Sequence, residues 1–309
     1  MLLCAHARFL LSGEDPSSLT LSVPDMNQRQ TCPNCKLTPV RPVFAIGPGN
    51  DVVECAGCRL QFAEAYPEYD SADAAIYPYE YFSSAIAQND RREKIFADLL
   101  SELESVLPKK GRLLDVGAGE GTLLKVATNN GWKAEGTEIS SAMIEHVRAL
   151  SPLTLHHGVL EDIQLPEDSF DAVILNHVLE HVRNPRTTLE RVARLLTPDG
   201  VVRIEVPNLA SLSSRFKNLQ SRLRLKSNPW RHYSTGHHFW FFTPLTLRTT
   251  LRGAGLDTIV LGAPAKQWGN KSPVVRSLNG LYRITMWGGH IVAYARRGAT
   301  TQDTTIRPS

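Results

Sequence analysis

No stretch of this 309-residue chain stays apolar for the roughly 18 residues that a bilayer-spanning helix needs. Neither sign of charge dominates. Against 34 Lys and Arg stand 31 Asp and Glu, and a net charge of +3 is too small to argue by itself for a nucleic-acid partner. Cysteine is scarce. Of five, four fall into two CxxC pairs and Cys4 stands apart, which excludes a disulfide framework and indicates a metal site in a reducing compartment such as the cytoplasm. A signal peptide is also disfavoured: His6 and Arg8 interrupt the apolar opening MLLCAHARFLL, and SGEDPSS follows without a small-residue cleavage pattern. Met26 opens MNQRQTCPNC, a more natural start, so residues 1–25 are expected to be disordered or to come from an upstream start codon. What is present is ordinary globular material. Apolar residues make up 42%, enough at this length for a large domain and a small one.

The four paired cysteines are Cys32, Cys35, Cys55 and Cys58, with the spacing C-x2-C-x19-C-x2-C. This falls in the window for a four-thiolate structural zinc site, in which each CxxC forms a knuckle presenting two sulfurs to one ion. Strands are expected at 40–46 and 50–54 around the turn Gly47-Pro48-Gly49, with Arg59 to Phe62 closing a zinc ribbon over 26–64. A closed set of four thiolates leaves no open position, so the zinc should stabilise a small module, not perform chemistry. Residues 65–83 hold five of the eight Tyr, with Pro67 and Pro78 breaking regular structure; they read as a linker packing rings on both domains or as a flap over the site.

The organising stretch is Leu113 to Leu124, LLDVGAGEGTLL. An apolar run reaches Asp115, glycines follow at 117, 119 and 121, and an apolar, helix-forming run starts at Thr122. This is the pattern of a buried strand, a sharp turn and a helix whose unpaired N–H groups face a ligand. About 20 residues on, KAEGTEI ends a second strand with Glu138, where a carboxylate can accept ribose hydroxyls. Residues 84–107 read as an amphipathic helix. Strands are expected near 112–117, 133–138, 153–157, 170–176 and 201–206, with helices between them, including 186–196 followed by the turn TPDG. Thr243-Pro244 should start another helix, and 256–261 and 290–295 should be the last two strands. Residues 264–289 form an insertion and 298–309 read as a disordered tail.

LLDVGAGEGTLL, GTEIS, GVLEDIQLPEDSFDAVILNHVLEHV and LLTPDGVVRIEVPN, in that order over 111–297, resemble the class I S-adenosylmethionine-dependent methyltransferases. The resemblance implies a doubly wound, mostly parallel seven-stranded α/β sheet of Rossmann-like type, with a final strand antiparallel at the edge. It also implies S-adenosylmethionine as cofactor. Gly117, Ala118, Gly119 and Gly121 should line its amino-acid end, with Asp115 orienting that loop. Glu138 should bind the ribose, with Ile139 beside it. The position where this family often places an adenine-binding acid is Val159 here. The Leu160 N–H and the carboxylate of Glu161 or Asp162 are then the candidates. Asn176 should lie at the methionine portion.

Methyl transfer to a hydroxyl is helped by a general base, and histidine is the usual choice. The candidates are His177 and His181 in NHVLEH, at a spacing that one helical face could carry, and His232, His237 and His238 in RHYSTGHHFWFFT. His237 and His177 are the catalytic candidates, and His181 reads as structural. Trp230, Tyr233 and Phe239 to Phe242 suggest an aromatic wall in the insertion 208–243, either for an acceptor or for packing on the sheet. The same insertion holds Arg215, Lys217, Arg222, Arg224, Lys226 and Arg231 without an intervening acid: a solvated face, or a site for an anionic acceptor, a phosphate-bearing carrier, a membrane surface or RNA. The leading expectation is O-methylation of a small or carrier-linked metabolite, with C- or N-methylation open; the HVLEH and VPN segments resemble ubiquinone-type O-methyltransferases and methyltransferases found with cell-surface sugar pathways. The alternatives are an RNA base methyltransferase using the ribbon to bind RNA, and a non-enzymatic interaction protein with a degenerate body.

Overall fold

The computed structural model describes residues 32, 34–36, 40–44, 51–63, 89–225, 230, 233, 238–264 and 285–298. The expected Tyr-rich linker, the turn at 47–49, His232, His237 and the two chain ends lie outside the described residues, as does most of the 264–289 insertion.

Near-continuous apolar runs make strands that must be covered on both faces. The runs at β4 (Arg112–Val116), β7 (Phe170–Asn176) and β8 (Leu196–Pro207) take the centre of a seven-stranded sheet, flanked by β5 (Lys133–Glu138) and β6 (Thr154–His157) on one side and β11 (His290–Arg297) and β10 (Leu256–Gly262) on the other. The order is β10-β11-β8-β7-β4-β5-β6. Strands β6, β5, β4, β7 and β8 pair in parallel, and β11 runs antiparallel to both β8 and β10. This is the doubly wound, mostly parallel fold expected from the sequence.

Two details differ. The last strand does not close the sheet at its edge; β11 inserts between β8 and β10. Composition explains the choice: Ile291 to Ala295 of β11 are all buried, whereas β10 exposes Asp257, Ile259 and Val260, so the apolar strand takes the interior. The TPDG segment is not a free turn before the strand but a bulge inside it. Phe170 pairs with Leu196 and Ala172 already pairs with Val201. Gly200 permits the bulge, because a Cβ there would lie 2.8 Å from the Phe170 carbonyl oxygen.

Six helices are described: α1 (Asn89–Glu104), α2 (Thr122–Asn129), α3 (Ser141–Leu150), α4 (Pro185–Leu195), α5 (Leu212–Arg222) and α6 (Pro244–Gly253). Their starts follow local chemistry. Ser140 Oγ accepts from Met143 N at α3, Asn184 Oδ1 accepts from Arg186 and Thr187 N before Pro185 at α4, and Thr243 and Thr246 form a capping box at α6.

A second sheet carries the cysteines. Strands β1 (Val40–Phe44), β2 (Val52–Cys55) and β3 (Gln61–Ala63) form the expected meander, but a fourth strand joins it from far along the chain. Trp240–Phe241, strand β9, pairs antiparallel with β3, placing Phe62 opposite Trp240 and Gln61 opposite Phe241. Around this joint Tyr233, Phe239, Trp240, Phe241 and Phe242 are buried. Phe44 stacks on Trp230 with centroids 4.1 Å apart, and Trp240 Nε1 donates to the Val182 carbonyl. Among the described residues the aromatic run of the insertion is buried as packing. It is the hydrophobic seam between the small sheet and the large one, because pairing with β3 turns these rings into core.

Candidate cofactor cleft and four-cysteine centre

Open parallel sheets bind ligands outside the carboxyl ends of their strands. There, a cavity of about 460 Å³ is bounded by Gly117, Glu138, Ile139, Leu160, Glu161 and His177, among others. Its size falls in the range of small-molecule and cofactor sites.

Backbone geometry shapes the end of the cavity at the glycine turn. Gly117, Gly119 and Gly121 all have positive φ, at 70°, 54° and 75°. They do different things. Gly117 is exposed at the cavity, and a Cβ there would press to 2.8 Å from Val178 Cγ2. Gly119 is buried and donates its N–H to Glu138 Oε2 at 2.8 Å. Gly121 caps α2 against Val147 and Leu153. Ala118 lies under Gly136, where a Cβ would come within 2.8 Å of it. Of the three glycines, then, only the first lines the cavity.

Glu138 is 5% exposed, and its other oxygen accepts from Ile139 N and Ser140 N at 2.9 Å each. Three backbone donors fix the carboxylate in one orientation. Burial still pushes its pKa above the ordinary range against their pull. Asp115 is buried behind it, and burial together with Glu120 and Glu138 pushes its carboxyl well above the usual value. It does not line the cavity. At the opposite wall Val159, Leu160, Glu161 and Asp162 follow β6; Glu161 accepts from Thr188 Oγ1 at the start of α4. Asn176 Oδ1 accepts from Arg203 Nη1 at 3.3 Å and stands outside the lining.

The NHVLEH segment is a turn, not a helix. His177 adopts φ of 57° and donates its N–H to the Glu205 carbonyl, so the residue breaks regular structure at the strand end. The two histidines meet through an acid instead of along a helical face. Glu180 Oε1 lies 3.2 Å from His177 Nδ1 and 4.0 Å from His181 Nε2. His177 Nε2 lies 3.7 Å from Glu205 Oε1, and Glu205 Oε2 accepts from the fully buried Arg203 at 2.7 Å. Burial alone would lower the pKa of His177, but Glu180 and Glu205 outweigh it and hold it above the ordinary histidine value. His290 stacks edge-on to His177 at 5.0 Å, and burial lowers its pKa. His238 sits edge-on to His181 at 4.9 Å. Sequence reasoning missed Arg203, Glu205 and His290. The signal was available: VVRIEV carries two charges at alternate positions of an otherwise apolar strand, which puts both on one face.

The four cysteines converge. Each CxxC closes in the same way: Lys36 N donates to the Cys32 carbonyl and Arg59 N to the Cys55 carbonyl, and Lys36 and Arg59 both adopt positive φ, at 60° and 63°. These twin knuckles bring Cys32 and Cys58 Sγ to 3.7 Å and Cys35 and Cys55 Sγ to 3.5 Å, with all four sulfurs within 4.8 Å of one another. A tetrahedral zinc with Zn–S of about 2.3 Å requires S···S edges of roughly 3.8 Å. The arrangement fits that ion and is too wide for a disulfide of about 2.05 Å. The neighbouring Cys32 thiol, with the Leu60 backbone and the Asn34 amide, pulls the Cys58 thiol down to about 5 against burial, thiolate being the form a metal binds.

The methyltransferase-domain family matches residues 87–261. The chain belongs to this family, and its motifs and fold place it in the class I S-adenosylmethionine-dependent kind. It is 30% identical over 152 residues to a ubiquinone biosynthesis O-methyltransferase of Rhodopseudomonas palustris, covering 47% of this chain and 58% of that protein. It is also 30% identical over 178 residues to a ubiquinone biosynthesis O-methyltransferase of Cereibacter sphaeroides, covering 54% of this chain and 69% of the other. A S-adenosylmethionine-dependent methyltransferase from Clostridium acetobutylicum superposes with TM-score 0.50 at 10% identity, over 72% of this chain and 99% of its own. That likeness bears on the fold alone.

Proposed function

We propose that the protein transfers a methyl group from S-adenosylmethionine to an oxygen of a small or carrier-linked metabolite. One observation carries the cofactor half: a buried carboxylate at a strand tip, held by three N–H donors, beside a glycine whose missing side chain opens the cleft. Gly117, Glu138, Ile139, Leu160 and Glu161 would hold the cofactor, with Asp115, Ala118, Gly119, Gly121 and Asn176 supporting the loop and strand ends from behind. The bound sulfonium supplies an already activated methyl group.

The chain's own task is then to orient the acceptor, exclude water and take a proton. His177 fits the last role. It lines the cavity, and carboxylates at both ring nitrogens raise its basicity. Glu180 fixes the ring through Nδ1, leaving Nε2 to accept the acceptor's hydroxyl proton while Arg203 holds Glu205 in place. His237 remains a second candidate for this role. The oxygen acceptor rests on two supports, this base and the O-methyltransferase relatives. A neutral amine acceptor, with its lone pair free, would need no such base for the transfer step.

The four sulfurs would hold a structural zinc. Titration calorimetry with S-adenosylhomocysteine tests the cofactor half, and a labelled methyl donor offered to hydroxyl-bearing metabolites tests the acceptor half. Absence of binding by folded protein overturns the first. Transfer to RNA, with steep salt dependence, overturns the second.

A further inference from the structure

Helix α5 follows β8 by a short loop and is inverted relative to an ordinary surface helix. Its apolar residues point outward. Leu212, Phe216, Leu219 and Leu223, at i, i+4, i+7 and i+11, are exposed by 45%, 61%, 53% and 58%, and Leu225 just beyond by 68%. At 3.6 residues per turn these four share one narrow stripe. The inward positions are small and polar. Ser211 and Ser221 are buried, Ser214 Oγ donates to the Asn208 carbonyl, and Ser221 Oγ accepts from Trp230 N. A helix held by serines with its leucines in water is organised for something outside the chain. Its flanks are cationic: Arg215, Lys217, Arg222 and Arg224 are all exposed, and no acid interrupts 206–238. Trp287, 40% exposed, accepts the Leu212 N–H on its carbonyl and adds an indole at the start of the stripe.

We propose that α5 is an interfacial helix that docks the protein on an anionic lipid bilayer, its leucine stripe entering the headgroup boundary and its basic flanks meeting lipid phosphates. The occupant is argued from charge. A stripe bordered on both sides by cations matches an apolar layer covered by anions, whereas a second copy would bring cation against cation. No helix among the described residues is long and apolar enough to cross a membrane, so the contact is one of lying on the surface. The surface also has a position. Strand β8 ends five residues before α5, and near that end Glu205 contacts His177, so the docked face and the cleft are carried by one continuous segment.

The test is flotation of the full chain with vesicles, independent of any methyl transfer. Vesicles of equal parts phosphatidylcholine and phosphatidylglycerol should carry at least about tenfold more protein than phosphatidylcholine alone, and less as salt rises. Phe216→Glu with Leu219→Glu should abolish flotation, with an unchanged circular-dichroism spectrum and melting temperature, since both side chains are more than half exposed. Arg215→Gln with Lys217→Gln and Arg222→Gln should remove only the preference for phosphatidylglycerol. Equal flotation of wild type and the glutamate variant overturns the proposal. So does a wild-type dimer that the glutamates convert to a monomer without vesicle binding, and so does binding of mixed-sequence RNA in place of vesicles.

Discussion

The two ends of the cleft are built by different means. The end that we propose for the cofactor is local: within one strand-turn-helix unit and the tip of the next strand, backbone N–H groups fix one carboxylate. The histidine cluster that we propose for the acceptor side is assembled from four distant pieces, of which His177 lines the cavity. His177 follows β7, Glu205 lies in β8, His238 precedes β9 and His290 opens β11. Strand β9 in turn belongs to the four-cysteine sheet, and Phe239 N donates to the Glu180 carbonyl. The first end should therefore tolerate damage to the small sheet, and the second should not.

The sharpest way to break this contrast is to remove the metal. Protein purified under reducing conditions should contain one zinc per chain. Chelation should unfold the small sheet, because structural zinc sites contribute about 10–16 kcal/mol in isolated modules. Trp230 and Trp240 sit in the seam, so their fluorescence should shift while S-adenosylhomocysteine binding persists. Metal-free protein with an unchanged spectrum would sink the zinc assignment.

Trp240→Ala comes next. The side chain is 1% exposed and its indole N–H is bonded, so its loss should lower stability by about 3–5 kcal/mol, read from the denaturant midpoint. Cofactor affinity of the folded fraction should stay within about threefold, a change of roughly 0.7 kcal/mol. A large fall in both would mean that the ends are coupled.

Glu138→Gln probes the other end. An amide keeps the shape but turns its NH2 toward backbone N–H donors and loses the charge. The expected loss of cofactor affinity is about 2 kcal/mol, roughly 30-fold, with little change in the seam. Unchanged affinity by calorimetry would remove the carboxylate from the proposed site.

The same division governs what was legible in the sequence. The Gly117 turn, the Glu138 tip and the cysteine spacing are contiguous patterns, and each appears within a residue or two of its expected place, whereas β8 starts five residues before the expected strand. The position of β11 was not legible, because antiparallel insertion is decided by which of two late strands is more apolar on both faces. Nor was the partner of β9. Residues 240–242 are equally apolar as a pocket wall or as a seam, and only pairing with Gln61 and Phe62, nearly 180 residues away, decides between them. The error at His177 was one of period: spacing of four suggested a helical face where a left-handed residue makes a turn.

The finest test concerns the proposed base. The raised pKa of His177 stabilises the fold fully below the unfolded histidine value, and that contribution is lost as pH rises through the folded value. Glu180 is the converse. Burial would raise its pKa, but His177 and His181 lower it, so its contribution is present above the unfolded carboxyl value and is lost as pH falls through the depressed one. The ion pair therefore stabilises only between these two titrations, and Glu180→Gln should lower stability most in that window. Catalysis needs the neutral ring, so the acid limb of the wild-type rate profile should lie above about pH 6.5, the ordinary histidine value. With Glu180→Gln one of the two carboxylates holding the proton is gone, and the limb should move to lower pH while cofactor affinity is retained. A structural role alone would change the amplitude and leave the limb where it was; a limb that stays would exclude His177 as the base.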